Sequence, residues 1–297
     1  MNEANLSIDR RTDMQVEIVL NAKAQVGESP VWCDRKQVLW WVDIGACALH
    51  RFDPVTIEDR VWQFGCSLAC IALTTGDDLV LGMADGFFRF TPETGALSLI
   101  ARPEADRPEN RPNDATMGRD GRFYFGTMKS QPDGIAGGAL YRMDPDGQIT
   151  HLMGGLHVSN GLAVSPDGAT LYLSDSWKDV RRIWSFDLRD GIPSNQREFF
   201  DTAGRPGRPD GGCIDAEGHY WSAAIDGGQL LRIAPDGTVE RIIETPVKKP
   251  TKCCFGGPEL DVLYVTSLGA TDDSAAGGAL MALRPGIRGL PEPRLPL

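Results

Sequence analysis

The sequence predicts an all-β fold: a six-bladed β-propeller with four antiparallel strands per blade. Three observations predict it. No stretch carries a helical period of any length; short apolar runs alternate with Gly- and Pro-bearing turns; and a strand–turn–strand unit returns about every 45 residues. A chain of 297 residues with 34 Gly and 20 Pro suits many short strands joined by tight turns.

The units run in order. The first is S-P-V-W-C-D-R-K-Q-V-L-W-W-V-D from Ser29, and the second I-A-L-T-T-G-D-D-L-V-L-G-M from Ile71. A-T-M-G-R-D-G-R-F-Y-F-G-T-M follows from Ala115, then V-S-N-G-L-A-V-S-P-D-G-A-T-L-Y-L-S-D from Val158. G-C-I-D-A-E-G-H-Y-W-S-A-A from Gly212 and C-F-G-G-P-E-L-D-V-L-Y-V-T-S from Cys254 complete six. The turn glycines Gly76, Gly121, Gly168 and Gly218 are separated by 45, 47 and 50 residues. A third strand follows each pair, as in A-L-H-R-F-D-P, G-F-F-R-F-T-P, A-L-Y-R-M-D-P, I-W-S-F-D-L, L-L-R-I-A-P and A-L-M-A-L. A fourth often comes after it, such as Thr238–Ile243. A two-layer sandwich is the competing all-β arrangement, and the regular period argues against it. Residues 1–14 are expected to be a flexible N-terminal tail and residues 15–297 a single propeller domain.

A formal net charge of −11 with no Lys/Arg cluster argues against nucleic acid as a partner. Lys248-Lys249 and Arg181-Arg182 read as solvated pairs. No apolar run reaches membrane-span length, and the first residues lack the apolar core of a secretory signal, so no membrane partner and a cytoplasmic location are expected. Seven cysteines without a C-x-x-C pair fit a reduced compartment. Cys253 and Cys254 are expected as strand residues rather than ligands. Oligomeric state leaves no mark on the sequence; a monomer or weak oligomer is expected.

In a propeller the innermost strand of each blade lines a central channel, so residues at one phase of the repeat converge on the axis. Eight residues before the turn glycines stand Asn113, Asn160 and Asp210; the matching position of the first unit is Glu28. The other two units place Leu68 and Lys252 there. A lone Asn or Asp before a strand usually caps a turn. Four polar side chains in phase point elsewhere. Two carboxylates near one axis repel and desolvate badly unless a cation sits between them. With amide oxygens beside them and no His or Cys, they suit one hard divalent ion. Availability and site geometry decide its identity, which the sequence leaves open among Zn, Mn, Ca, Mg and Fe(II).

G-E-S-P-V-W (Gly27–Trp32), R-P-N-D (Arg111–Asp114), S-N-G-L (Ser159–Leu162), P-D-G-G-C-I-D-A-E-G (Pro209–Gly218) and C-C-F-G-G (Cys253–Gly257) occur in an order that resembles the SMP-30/gluconolactonase/LRE family. The resemblance runs from about Ile18 to the end of the chain. It implies a six-bladed propeller and hydrolysis of sugar-acid lactones. By resemblance, Glu28, Asn160 and Asp210 hold the metal, Asp210 is also the general base, and Arg111 and Asn113 contact substrate. Animal members carry an acidic residue three positions after the G-T-M strand; here Gln131 takes that place as a substrate contact. The R-P-N-D-A-T and F-G-T-M patterns look closer to bacterial pentonolactonases and related xylono- and arabinonolactonases.

The expected activity is opening of an aldonolactone, such as an arabinono-, xylono-, galactono- or gluconolactone, to its aldonic acid. The ion polarises the carbonyl, Asp210 accepts a proton from water, and Arg111 and Asn113 fix the ring. An esterase or phosphotriesterase on the same scaffold is a second reading, and a non-catalytic binding platform a third. No G-x-S-x-G elbow supports a serine hydrolase. His50 and His219 read as structural, while His151 or His157 could line the channel mouth. Trp32, Trp40 and Trp221 read as core, and Trp177 as the best pocket wall. Lys252 is open between substrate contact and structure. Asp175 either supports Asn160 or ends its strand.

Overall fold

The structure, a computed structural model, describes residues 14–297. These residues form six four-stranded antiparallel sheets and no helix, arranged as the blades of a six-bladed propeller. The inner strands, in blade order, are Gly27–Cys33, Leu68–Leu73, Asn110–Met117, Ser159–Val164, Arg208–Ile214 and Pro250–Gly256. In blades one to five the four strands follow one another outward in chain order. Blade six runs Pro250–Gly256, Val262–Ser267, Leu280–Leu283, and its outermost strand is Glu17–Leu20 from the start of the chain. The two ends of the described chain therefore close the ring through the Glu17↔Ala282 and Ile18↔Met281 pairs. The predicted tail lies outside the described residues except for Met14, which packs with Val16 between blades five and six.

Each blade is too thin to bury both faces alone. The buried apolar residues accordingly form six clusters, one at each junction between neighbouring blades. The second strand of blade one shows how the sequence achieves this. Val38–Asp43 reads V-L-W-W-V-D and is buried throughout. Side chains alternate across a strand, so Val38, Trp40 and Val42 face blade two while Leu39 and Trp41 face blade six. A continuous apolar run is what a strand covered on both faces requires. Outermost strands, such as Glu58–Gln63, return to polar, exposed composition. Trp32, Trp40 and Trp221 are core residues, at 3%, 2% and 0% exposure.

All six inner strands break register with their neighbours at one level. The shifts fall between Glu28 and Val31, Leu68 and Cys70, Pro112 and Ala115, Asn160 and Ala163, Pro209 and Gly212, and Pro250 and Cys253. Such bulges re-aim a side chain out of the ladder. In blade four the break rests on Gly161, whose φ of +61° disfavours any side chain. Blade one uses Ser29 in the same left-handed region, at φ 47°.

The far end of the channel is occupied by the C-terminal segment. Leu295 is fully buried, and its N–H donates to the Leu73 carbonyl at 2.8 Å. Leu290 and Glu292 border a cavity of about 70 Å³ together with Trp32, Met117 and Lys252.

Candidate metal centre

The six register breaks carry Glu28, Asn113, Asn160, Asp210, Lys252 and Leu68, so every residue singled out by phase lies on an inner strand; Leu68 packs into the apolar cluster between blades one and two. Glu28, Asn160 and Asp210 are buried, at 8%, 4% and 6% exposure. Glu28 and Asp210 stand close enough for their charges to interact. Burial, and then the neighbouring Asp114 charge, raise the Glu28 carboxyl to about 7. Burial, followed by the Glu28 charge, raises the Asp210 carboxyl well above the ordinary aspartate value.

Neither carboxylate has a cationic side chain bonded to it among the described residues. Glu28 Oε2 accepts from the Ser29 N–H at 2.8 Å. The three nearby cations, Arg208, Arg111 and Lys252, are committed elsewhere. Arg208 donates to Asp226 Oδ2 from Nε at 2.9 Å and from Nη2 at 2.7 Å, and to the Ser176 carbonyl at 2.9 Å. Arg111 Nη1 donates to the Pro112 carbonyl at 2.8 Å and to Asn113 Oδ1 at 2.7 Å. Lys252 Nζ donates to Asp114 Oδ1 and, at 2.8 Å, to the Ala115 carbonyl.

The amide orientations follow from their neighbours. Ser176 Oγ donates to the Pro209 carbonyl, so it can only accept from Asn160, which presents Nδ2 to it at 2.8 Å. Asn160 Oδ1 is thereby turned to the opposite side, where Asn113 Nδ2 reaches it at 3.0 Å. Asn113 Nδ2 also donates to the Ser159 carbonyl at 2.8 Å, which fixes its own flip and leaves Oδ1 for Arg111. One lone pair of Asn160 Oδ1 remains available, since a carbonyl oxygen carries two.

These residues fit a hard divalent ion. Two buried carboxylates destabilise each other and lack cationic partners, and a pre-oriented amide oxygen stands with them on the channel wall. No group of three or more His, Cys, Asp or Glu capable of holding a metal occurs among the described residues. An ion taken here would meet a mixed carboxylate and amide set, the chemistry preferred by oxygen-seeking ions.

Two residues the phase argument could not assign form the support of this centre. Lys252 crosses from blade six to Asp114 on blade three, and Gly211 leaves it room: a Cβ there would stand 2.5 Å from the Lys252 Cβ. Asp114 Oδ2 accepts from the Leu162 N–H and Oδ1 from the Ala115 N–H, each at 2.8 Å. The ion pair thus ties blades three, four and six together just beside Asn113 and Asn160. Burial pulls the Lys252 ammonium down, but Asp114 and Glu28 outweigh it and hold it above the ordinary lysine value.

Asp175 does not bond Asn160. Its carboxylate accepts from the backbone N–H groups of His157, Val158 and Trp177 at 2.8, 3.1 and 2.9 Å. Asp43 does the same for Gln25, Val26 and Ala46 in blade one. Both residues pin the loop that leads into an inner strand. The pinned loop in blade four carries His157 stacked on Trp177, with ring centroids 5.8 Å apart and planes 9° apart. His151 is exposed on the outer strand of blade three. His50 stacks on Trp41 and bonds Asp59. Gln131 is exposed in the segment between the second and third strands of blade three.

The six closed four-stranded blades define the class of the chain as a six-bladed β-propeller. Residues 26–269 match the family model described as SMP-30/Gluconolactonase/LRE-like region, and the chain belongs to that family. It is 36% identical over 287 residues to 6-deoxy-6-sulfogluconolactonase from Pseudomonas putida, covering 94% of this chain and 97% of that one. It is 32% identical over 292 residues to a pentonolactonase from Haloferax volcanii, again covering 94% and 97%. Among solved structures it superposes on the calcium-binding protein regucalcin from Agrobacterium tumefaciens with a TM-score of 0.90, at 28% identity and coverage of 96% and 98%.

Proposed function

We propose that the protein is a divalent-metal-dependent hydrolase that opens a sugar aldonolactone to the aldonic acid. The observation that carries the reading is the pair of buried, mutually repelling carboxylates, Glu28 and Asp210, beside the oriented Asn160 oxygen. The names of two relatives, a sulfogluconolactonase and a pentonolactonase, support the substrate class. The calcium-binding description of the Agrobacterium relative supports a hard ion.

A divalent ion held by Glu28, Asn160 and Asp210 would supply Lewis acidity to the lactone carbonyl and to the attacking water. Asp210 is the general base. Beside an ion the Asp210 carboxylate would stay ionised and so able to take a proton from water. Water adds to the carbonyl carbon, the bond from that carbon to the ring oxygen breaks, and the proton held by Asp210 passes to the departing alkoxide. Arg111 and Asn113 hold the substrate oxygens, and their mutual 2.7 Å hydrogen bond keeps both in place before substrate arrives. Gln131, on its exposed segment, contacts a hydroxyl at the rim. We place the enzyme in the cytoplasm as a monomer or weak oligomer without a nucleic-acid or membrane partner; the charge of −11 supports only the absence of nucleic acid, and the free thiols only a reducing compartment.

A panel of pentono- and hexonolactones, followed by proton release in the presence of several divalent ions, tests the reading. Lactone opening by the wild type that is lost in Asp210→Asn supports it. A wild type that binds no divalent ion and opens no aldonolactone refutes it.

A further inference from the structure

A second cavity, of about 410 Å³, adjoins the candidate centre. That volume lies within the range of pockets that hold small ligands. Arg111 and Pro112 belong to both regions: they border the cavity, and Arg111 reaches Asn113 and feels the Glu28 charge. The cavity's other wall is the segment between blades two and three, which brings Glu104 and Arg107 against Thr127.

Glu104 is held there by two hydroxyls. Its Oε1 accepts from Tyr141 at 3.0 Å and from Thr127 at 3.2 Å. The Tyr141 phenol is raised by burial and by Glu104, so it remains a donor. Glu104 Oε2 makes no hydrogen bond among the described residues, and the residue lines the cavity. The charges on the wall are arranged unevenly. Arg102 donates to the Asp85 carbonyl at 2.9 Å and lies 3.8 Å from its carboxylate. The Arg107 guanidinium has no partner among the described residues. The pocket therefore offers a strong acceptor, Glu104, beside the donors Arg107 and Arg111. That combination matches a hydroxyl, which both donates and accepts. An anion could pair with Arg107 or Arg111 but would leave the free Glu104 oxygen without a donor, whereas a hydroxyl satisfies both.

We propose that this cavity is the subsite for the neutral, hydroxylated carbons of the substrate beyond the lactone ring, with Glu104 as the residue that selects for them. The proposal rests on the aldonolactonase reading of the adjoining centre. Glu104 accepts hydrogen bonds from hydroxyls on the exocyclic carbons, and Arg107 donates to them. Arg111 links this subsite to the ring held at Asn113.

The test compares a hexono-1,4-lactone, which carries an exocyclic diol, with γ-butyrolactone, which has no hydroxyl. Glu104→Gln keeps an oxygen for Tyr141 and Thr127 but turns the free acceptor into a donor. The expected result is a rise of about tenfold in KM for the hexonolactone with kcat changed less than about threefold, the scale of one charge-assisted hydrogen bond. kcat/KM for γ-butyrolactone stays unchanged. Arg107→Gln, on an exposed side chain, is expected to raise the same KM several-fold in the same pattern. Equal losses on both lactones, or no change on either, overturn the subsite while leaving the lactonase reading intact. A wild type inactive on every lactone overturns the reading beneath it.

Discussion

At the scale of single residues, the centre depends on groups that never touch an ion or substrate. Ser176 is the clearest case. Because its hydroxyl is spent on the Pro209 carbonyl, it can only accept from Asn160 and so settles which atom of that amide faces the channel. Ser176→Ala removes this constraint, and calorimetric titration is expected to show divalent-ion affinity reduced by about 10- to 100-fold. Lys252 is the second case. Lys252→Met strands the Asp114 carboxylate in a buried site, which costs about 3–5 kcal/mol of stability at neutral pH. Denaturant unfolding of Lys252→Met beside the wild type is expected to show that loss. An equal loss in Asp114→Asn, with none added in the double variant, would show that the pair acts as one unit. Glu28, Asn113, Asn160 and Asp210 were legible in the sequence because a common phase marks them. Asp114 was not, although it sits in the same R-P-N-D motif. The equivalent positions elsewhere are Ser29, Gly161 and Gly211, so no repeated polarity flags it. Its role depends on a lysine arriving from 138 residues away.

At the scale of elements, the inner strands are ladders interrupted at one level, and the interruption is what turns polar side chains toward the axis. The sequence shows the strands as apolar runs but not the bulges. Leu162–Val164 reads as the whole inner strand of blade four, whereas the ladder begins at Ser159, where the polar residues sit. Gly161 carries the bend. A Cβ there would lie 2.4 Å from the Tyr220 hydroxyl, on a backbone at φ +61°. Gly161→Ala is expected to cost about 1–3 kcal/mol and to weaken ion binding through Asn160, as measured by thermal unfolding with and without a divalent ion. The segment that carries Glu104 lies outside the repeat, so alignment of blades could not find it. Only the closed fold brings it to Thr127 and Tyr141.

At the scale of the whole molecule, ring closure concentrates like charge at one end of a channel whose other end is filled by the chain's own C-terminal segment. The turn period foretold the six blades, but the use of Glu17–Leu20 to complete the last blade rests on long-range pairing that no local pattern reveals. The assembly has a pH signature. Glu28 stands at 4.5 when exposed and at about 7 in the folded, metal-free protein. Between these values the folded state binds more protons than the unfolded state. The Glu28 contribution therefore favours the fold at low pH and is lost as pH rises toward 7. Thermal melts of the metal-free protein are expected to show this decline across pH 4.5 to 7, and a divalent ion is expected to offset it at the upper end. A pH dependence identical in the wild type and Glu28→Gln across that window would contradict the placement of Glu28.

The central claim is that Glu28, Asn160 and Asp210 assemble an ion-dependent site for lactone opening. It is tested most directly by proton release from a sugar aldonolactone, using protein stripped by a chelator and then resupplied with a divalent ion. Stripped protein is expected to give no release above the spontaneous rate, and the added ion to restore it. Full activity in the stripped protein, or no activity on any aldonolactone after resupply, would contradict the claim.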